Sequence, residues 1–108
     1  MPKVARGDSE DDVSCNHPCL GTTKTNGMSS DVIVNNIGIH REGDDTVVHV
    51  SGVDSPICVS THAPVIAVGS TTVFANNKGV ARIGDDYNAS DTVSTASGNG
   101  SPNVFAGP

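Results

Sequence analysis

Asp31–Asp45, DVIVNNIGIHREGDD, returns at Thr72–Asp86 as TVFANNKGVARIGDD, at an offset of 41 residues and without a gap. Val32 matches Val73, Asn35-Asn36 matches Asn76-Asn77, and Gly38 matches Gly79. Arg41 matches Arg82, and Gly43-Asp44-Asp45 matches Gly84-Asp85-Asp86. Gly69-Ser70 opens the second copy, and the same opening recurs at the C-terminus as GSPNVFAG, residues 100–107. VARGD at 4–8 resembles VARIGD at 80–85, one residue shorter. The chain starts with the end of a unit and finishes with the start of one. Three units with pseudo-threefold symmetry follow, the two termini completing the third.

The unit reads as a hairpin. VIV and VFA are short strands with period-two alternation. Asn-Asn-x-Gly is a turn in which Asn tolerates positive φ and Gly is expected at the left-handed position of a bulged loop. GIHR and GVAR are return strands. The Gly of GDD suits a conformation closed to other residues, and its Asp can accept hydrogen bonds from nearby backbone N–H groups. GDD lacks the D-x-D-x-D-G spacing of a calcium loop. Three longer polar segments, 9–26, 46–68 and 87–99, separate the hairpins and are expected as functional or pinned loops.

The 108 residues, 1–108, make one small domain. Twelve acidic against six basic residues give a net charge of −6, the wrong sign for phosphate backbones or an anionic membrane surface. The apolar supply is mostly Val and Ile, with one Leu, two Phe and no Trp. That supply favours strands and a thin core, which in so small an all-β chain calls for a staple or a partner. The polar N-terminus does not read as a signal peptide, and no apolar run is long enough to span a membrane.

Three Cys and four His supply the candidate staple. Cys15, His17 and Cys19 lie in the first loop; His49, Cys58 and His62 lie in the second; the third has no Cys or His. The metal is therefore expected on two of the three loops, with zinc the default for mixed thiolate and imidazole donors. A Cys15–Cys19 disulfide is the competing reading. His40 stands where the second copy has Ala81, and reads as a surface or stacking residue rather than a ligand. Cys58 and His62 could form a nucleophile–base pair. Glu10 and Glu42 are the only Glu residues and no H-E-x-x-H occurs, so no catalytic residues are assigned and an enzyme is not expected.

GSTTVFANNKGVARIGDD together with the terminal GSPNVFAG resembles the PAAR-repeat family. Val80–Arg82, Val4–Arg6 and Ile39–Arg41 stand where that family has its eponymous Pro-Ala-Ala-Arg, and the likeness runs from about Pro2 to Gly107. The chain departs from the pattern in having Asn-Asn where Asn-Gly is common and in lacking the Pro. The resemblance implies an all-β fold: a small cone of short hairpins with pseudo-threefold symmetry, metal-stapled near its apex. It implies a structural Zn2+ held by three His and one Cys, carried over as His17, His49, Cys58 and His62, with Cys15, Cys19 and His40 as alternates.

The function implied is mechanical: one monomer caps and sharpens a trimeric β-helical spike in a contractile phage tail or a type VI secretion system. The location would then be the virion, at the baseplate spike tip, or the outside of the cell on a contractile spike. The target membrane is met mechanically, and nucleic acid is not a partner. A trimeric spike ends in exposed strand edges, which seek partners. Strands starting near Val32, Val73 and Val104 are expected to pack on it. No effector-like segment follows the last strand, which leans the expectation toward a bare phage tip. A stand-alone zinc-stabilised β binding domain is the alternative.

Overall fold

The computed structural model of the chain describes residues 1–17, 20–50 and 61–108, with residues 16, 17, 20 and 21 described by backbone alone. Its strands are β1 (Asp12–His17), β2 (Leu20–Lys24), β3 (Ile33–Val34), β4 (Ile37–Gly38), β5 (His49–Val50), β6 (Thr61–His62), β7 (Phe74–Ala75), β8 (Lys78–Gly79) and β9 (Asp91–Val93). They pair antiparallel into three two-stranded hairpins, β3-β4, β5-β6 and β7-β8, and one three-stranded sheet in the order β2-β1-β9. The fold is a small all-β domain of short antiparallel hairpins.

The repeated hairpins turn on two residues. Val34 pairs with Ile37 and Ala75 with Lys78, leaving Asn35-Asn36 and Asn76-Asn77 as the turns. All four Asn have positive φ, 54° and 67° in the first turn and 54° and 64° in the second. Positive φ at both central positions matches the right-handed twist of the flanking strands. This corrects the expectation that the following Gly takes the left-handed position. Gly38 and Gly79 are needed for space: a Cβ there would lie 2.2 Å from Ser29 O and 2.4 Å from Ser70 O respectively.

The third hairpin is assembled from the two chain ends. Val4 N–H donates to Val104 O at 3.0 Å, as Ile39 does to Val32 and Val80 to Val73. Ser29, Ser70 and Ser101 each accept from the backbone N–H three residues on, at 2.9–3.0 Å. At the centre, Ala5 N–H donates to Ala81 O, Ala81 N–H to His40 O, and His40 N–H to Ala5 O, at 2.9, 2.9 and 3.0 Å. One residue from each unit thus closes a three-membered cycle. Matched positions Val4, Ile39 and Val80 pack with Val34, Ala75 and Ala106 in one buried cluster. Ala5 and Ala81 join Val13, Ile66, Tyr87 and Val93 in a second.

An Arg–Asp clamp ties each unit to the next. Arg41 donates from its backbone N and Nε to Asp44 Oδ2, and from Nη2 to Asp44 Oδ1, at 2.8–3.0 Å. Arg82 grips Asp85 in the same way, at 2.8–3.0 Å. Their Nη1 atoms then reach the following unit, Arg41 to Asn76 Oδ1 at 2.8 Å and Arg82 to Gly107 O at 2.6 Å. In the third unit the partner of Arg6 is Asp11, at 2.7–3.1 Å, and not the Asp8 that the sequence alignment suggests. Asp8 and Ser9 take positive φ in a turn closed by Glu10 N–H to Gly7 O. The turn delivers the later carboxylate to the equivalent place.

The long segments between hairpins are more regular than their polar composition suggests. The first supplies β1 and β2, the second β5 and β6, and the third β9. Cross-strand apolar pairing explains the gain: Val13 on β1 faces Val93 on β9, and both are fully buried.

Candidate metal centre

Two cross-strand pairs meet at one place. Cys15 of β1 is directly opposite Asp91 of β9, and His49 of β5 is directly opposite His62 of β6. Opposite residues bring their side chains together on one face of a ladder. The hairpin β5-β6 is anchored beside β2 by Val47 N–H to Lys24 O at 2.9 Å. All three interhairpin segments therefore contribute to one group.

The donor atoms converge. His49 Nε2 lies 2.9 Å from Asp91 Oδ2 and 2.9 Å from His62 Nε2, and His62 Nε2 lies 3.6 Å from Asp91 Oδ2. Single donor atoms of Cys15, His49 and Asp91 all fall within 4.8 Å of one another, and the three residues are buried. Donors sharing one tetrahedral ion at bonds of about 2.0–2.3 Å stand roughly 3.3–3.8 Å apart; the 3.6 Å separation of His62 from Asp91 lies in that range, and the two 2.9 Å separations would have to widen by about 0.4 Å to admit an ion.

Proton placement points the same way. His49 Nδ1 lies 2.8 Å from Val47 O, and a carbonyl only accepts, so Nδ1 carries the hydrogen. In that tautomer of the neutral ring, the Nε2 lone pair faces a carboxylate oxygen and a second imidazole nitrogen. Donors that converge in this way can share a cation, and a carbonyl-fixed tautomer is the usual support of a ligating histidine. The Cys15, His49 and Asp91 group can bind a metal ion.

Cys15, His49 and Asp91 are also the residue types of a thiol-nucleophile triad. The geometry disfavours that use. Cys15 is a free thiol, and burial, then the charge of Asp91 and a hydrogen bond to it, push its pKa up to about 12. A nucleophilic cysteine needs the opposite shift. A bound cation would reverse the balance and hold the sulfur as thiolate.

Of the expected ligands, His49 and His62 come together here, with the alternate Cys15 beside them. Cys19 and Cys58 lie outside the described residues, as does the side chain of His17. The expectation that only two loops carry donors is corrected by Asp91, which comes from the third. Carboxylate counting could not single it out among ten Asp. Its signal is positional, since only the β1–β9 register places it opposite Cys15.

His40 is not at the surface. It is fully buried, with Nδ1 2.6 Å from Gly27 O and Nε2 2.7 Å from Tyr87 Oη. Burial lowers its pKa, so the ring is neutral, donating from Nδ1 and accepting from Tyr87. Val32, Val73 and Val104 are partly exposed, at 36%, 40% and 36%. Each is followed by a more exposed apolar residue, Ile33, Phe74 or Phe105. No protein-family model matches the sequence, and no curated protein matches it.

Proposed function

We propose that this chain is the tip of a trimeric β-helical spike, a PAAR-like plug that caps and sharpens the spike of a contractile injection machine. The observation that carries the reading is an exposed apolar pair present three times at matched positions: Val32-Ile33, Val73-Phe74 and Val104-Phe105. Apolar side chains left in water at equivalent points of three linked hairpins suit a partner offering three identical receiving surfaces, which a homotrimer does. The closed Ala5–His40–Ala81 cycle and the three Arg–Asp clamps are the expected framework of a pseudo-threefold cone. A rigid, non-catalytic tip is consistent with the metal group, which would cross-link all three loops.

Zinc is the ion this reading assigns, bound by Cys15, His49, His62 and Asp91. When bound, it would add folding energy to loops that otherwise rest on strand pairing and the small apolar cluster of Val13, Ile66, Tyr87 and Val93. Cys15 would give a thiolate, Asp91 a carboxylate, and the two imidazoles neutral nitrogen donors.

The test is co-purification with the trimeric spike protein of the same injection machine. Replacing Val32, Val73 and Val104 together by Asp should abolish it while the metal content stays at wild-type level. Undiminished binding by the triple variant refutes the docking face and leaves the stand-alone metal-stabilised domain.

A further inference from the structure

Among the described residues, His40 and Tyr87 are the buried ionisable side chains that neither the clamps nor the donor group uses. The sister positions of His40 are Ala5 and Ala81, so nothing in the repeated framework requires an imidazole there. Yet both its ring nitrogens are engaged, and its Nε2 partner is the only Tyr of the chain. Tyr87 is buried, packs with Ile66 and Val93, and stands at the start of the segment that bears Asp91. Its backbone N–H donates to Asp91 O at 2.9 Å. Asp86 bridges Thr92 across the same short turn, and Thr92 Oγ1 donates to Asp86 Oδ1 at 2.9 Å.

We infer that His40 is a positioning residue for the metal centre: through its hydrogen bond to Tyr87 it fixes the segment that presents Asp91 to His49, His62 and Cys15. The connection is short and every link is buried. His40 belongs to the central backbone cycle, whose position is set by all three units. Tyr87 Oη donates to that fixed point, and the Tyr87 backbone grips the residue that carries the carboxylate. Asp91 has a short side chain, so a small displacement of its backbone moves the donor oxygen out of bonding range of an ion. An imidazole at this one position, with Ala at the other two, matches a single centre set in an otherwise repeated framework. The inference rests on the metal reading above and adds a residue that touches no ion.

The experiment measures affinity for Zn2+ by competition with a chromophoric chelator, and the absorption spectrum of the Co2+-loaded protein. Tyr87→Phe keeps the ring and its packing and removes only the hydroxyl. It should weaken Zn2+ binding by about tenfold, the lower end of what supporting partners of a metal site contribute. It should also change the Co2+ ligand-field bands. His40→Ala should do the same, and the double variant should be no weaker than the single ones, because all three lack one and the same hydrogen bond. If Tyr87→Phe lowers the melting temperature but leaves Zn2+ affinity and the Co2+ spectrum unchanged, the pair is structural only and the inference is overturned while the metal reading stands. If the wild-type protein takes up neither ion, the metal reading falls and takes the inference with it.

Discussion

The hairpin units and the loops between them solve the same problem in opposite ways. Each unit is too small to bury a core, so three of them share one, and each reaches the next through the Nη1 of its Arg. The Ser turn and the backbone cycle recur at matched residues with nearly equal distances, and the Arg–Asp clamp recurs with the same atoms, though in the third unit Asp11 takes the place of the matched Asp8. The loops share no such pattern. The first and third make a three-stranded sheet, the second a hairpin, and they converge on a group to which each gives a different donor. Repetition holds the units together, whereas the loops are held by strand pairing, the Val13–Val93 contact and the donor group.

Removing a metal held by the Cys15, His49 and Asp91 group should break the comparison most severely. A closed structural zinc site is worth on the order of 10 kcal/mol, comparable with the whole stability of a small domain. Chelation should lower the melting temperature by more than about 20 °C, since each kcal/mol shifts a domain of this size by roughly 4–8 °C. Hydrogen exchange should then show the amides of β1, β5 and β9 losing protection before those of Ala5, His40 and Ala81. An unchanged melting temperature, with no metal by elemental analysis, shows that the loops hold without an ion.

The two regions also differ in how far they could be read from sequence. The repeat is self-announcing, because identical residues at a fixed offset declare a shared conformation before any of it is understood. Asn at positive φ in the turns, Gly in the left-handed conformation at 43 and 84, and a third unit shared between the termini follow from that pattern, whereas the two-residue length of the turns does not. The loops offer composition but no register. Cys and His can be counted, but their convergence depends on strands whose pairing is set by tertiary contacts such as Val13 with Val93. Asp91 is the clearest case: nothing local separates it from the other Asp, and its role comes wholly from the residue opposite. His40 shows the reverse limit. The repeat marks it as odd, and only the position of Tyr87 explains the oddity.

Where the repeat itself is irregular, a second prediction sharpens the contrast. Alignment puts Asp8 in register with Asp85, but the clamp on Arg6 is made by Asp11. Asp11 is 1% exposed and accepts from Gly100 N at 2.9 Å as well as from Arg6. Asp11→Ala leaves a buried guanidinium uncompensated and should destabilise by about 3–5 kcal/mol in urea unfolding. Asp85→Ala opens a clamp with more solvent access and should cost less, about 1–3 kcal/mol. Asp8→Asn, which keeps a residue tolerant of the positive φ at this exposed position, should fall within about 0.5 kcal/mol of wild type. If Asp8 and Asp11 exchanged these effects, the third unit would follow the alignment rather than the observed geometry.

The smallest effects separate two adjacent residues of one type. Asn76 and Asn77 have the same backbone conformation, and both need it for the turn. Their side chains differ in task. Asn76 Nδ2 donates to Asp31 Oδ1 at 2.8 Å, and its Oδ1 accepts from Arg41, so it joins two units. Asn77 is exposed and serves the turn through its backbone. Asn77→Gly should be neutral or stabilise by up to about 0.5 kcal/mol, because Gly adopts positive φ without a Cβ clash. Asn76→Gly gains the same backbone ease but loses the link between units, including a bond from a charged group. It should destabilise by about 1–2 kcal/mol. The test is the difference in urea midpoint between the two variants at equal m-value. Opposite signs would mean that the repeat conserves its turn for two separate reasons, one local and one that closes the cycle. Equal effects would reduce the first Asn of each turn to a conformational choice, and leave the clamps to carry the contact between units alone.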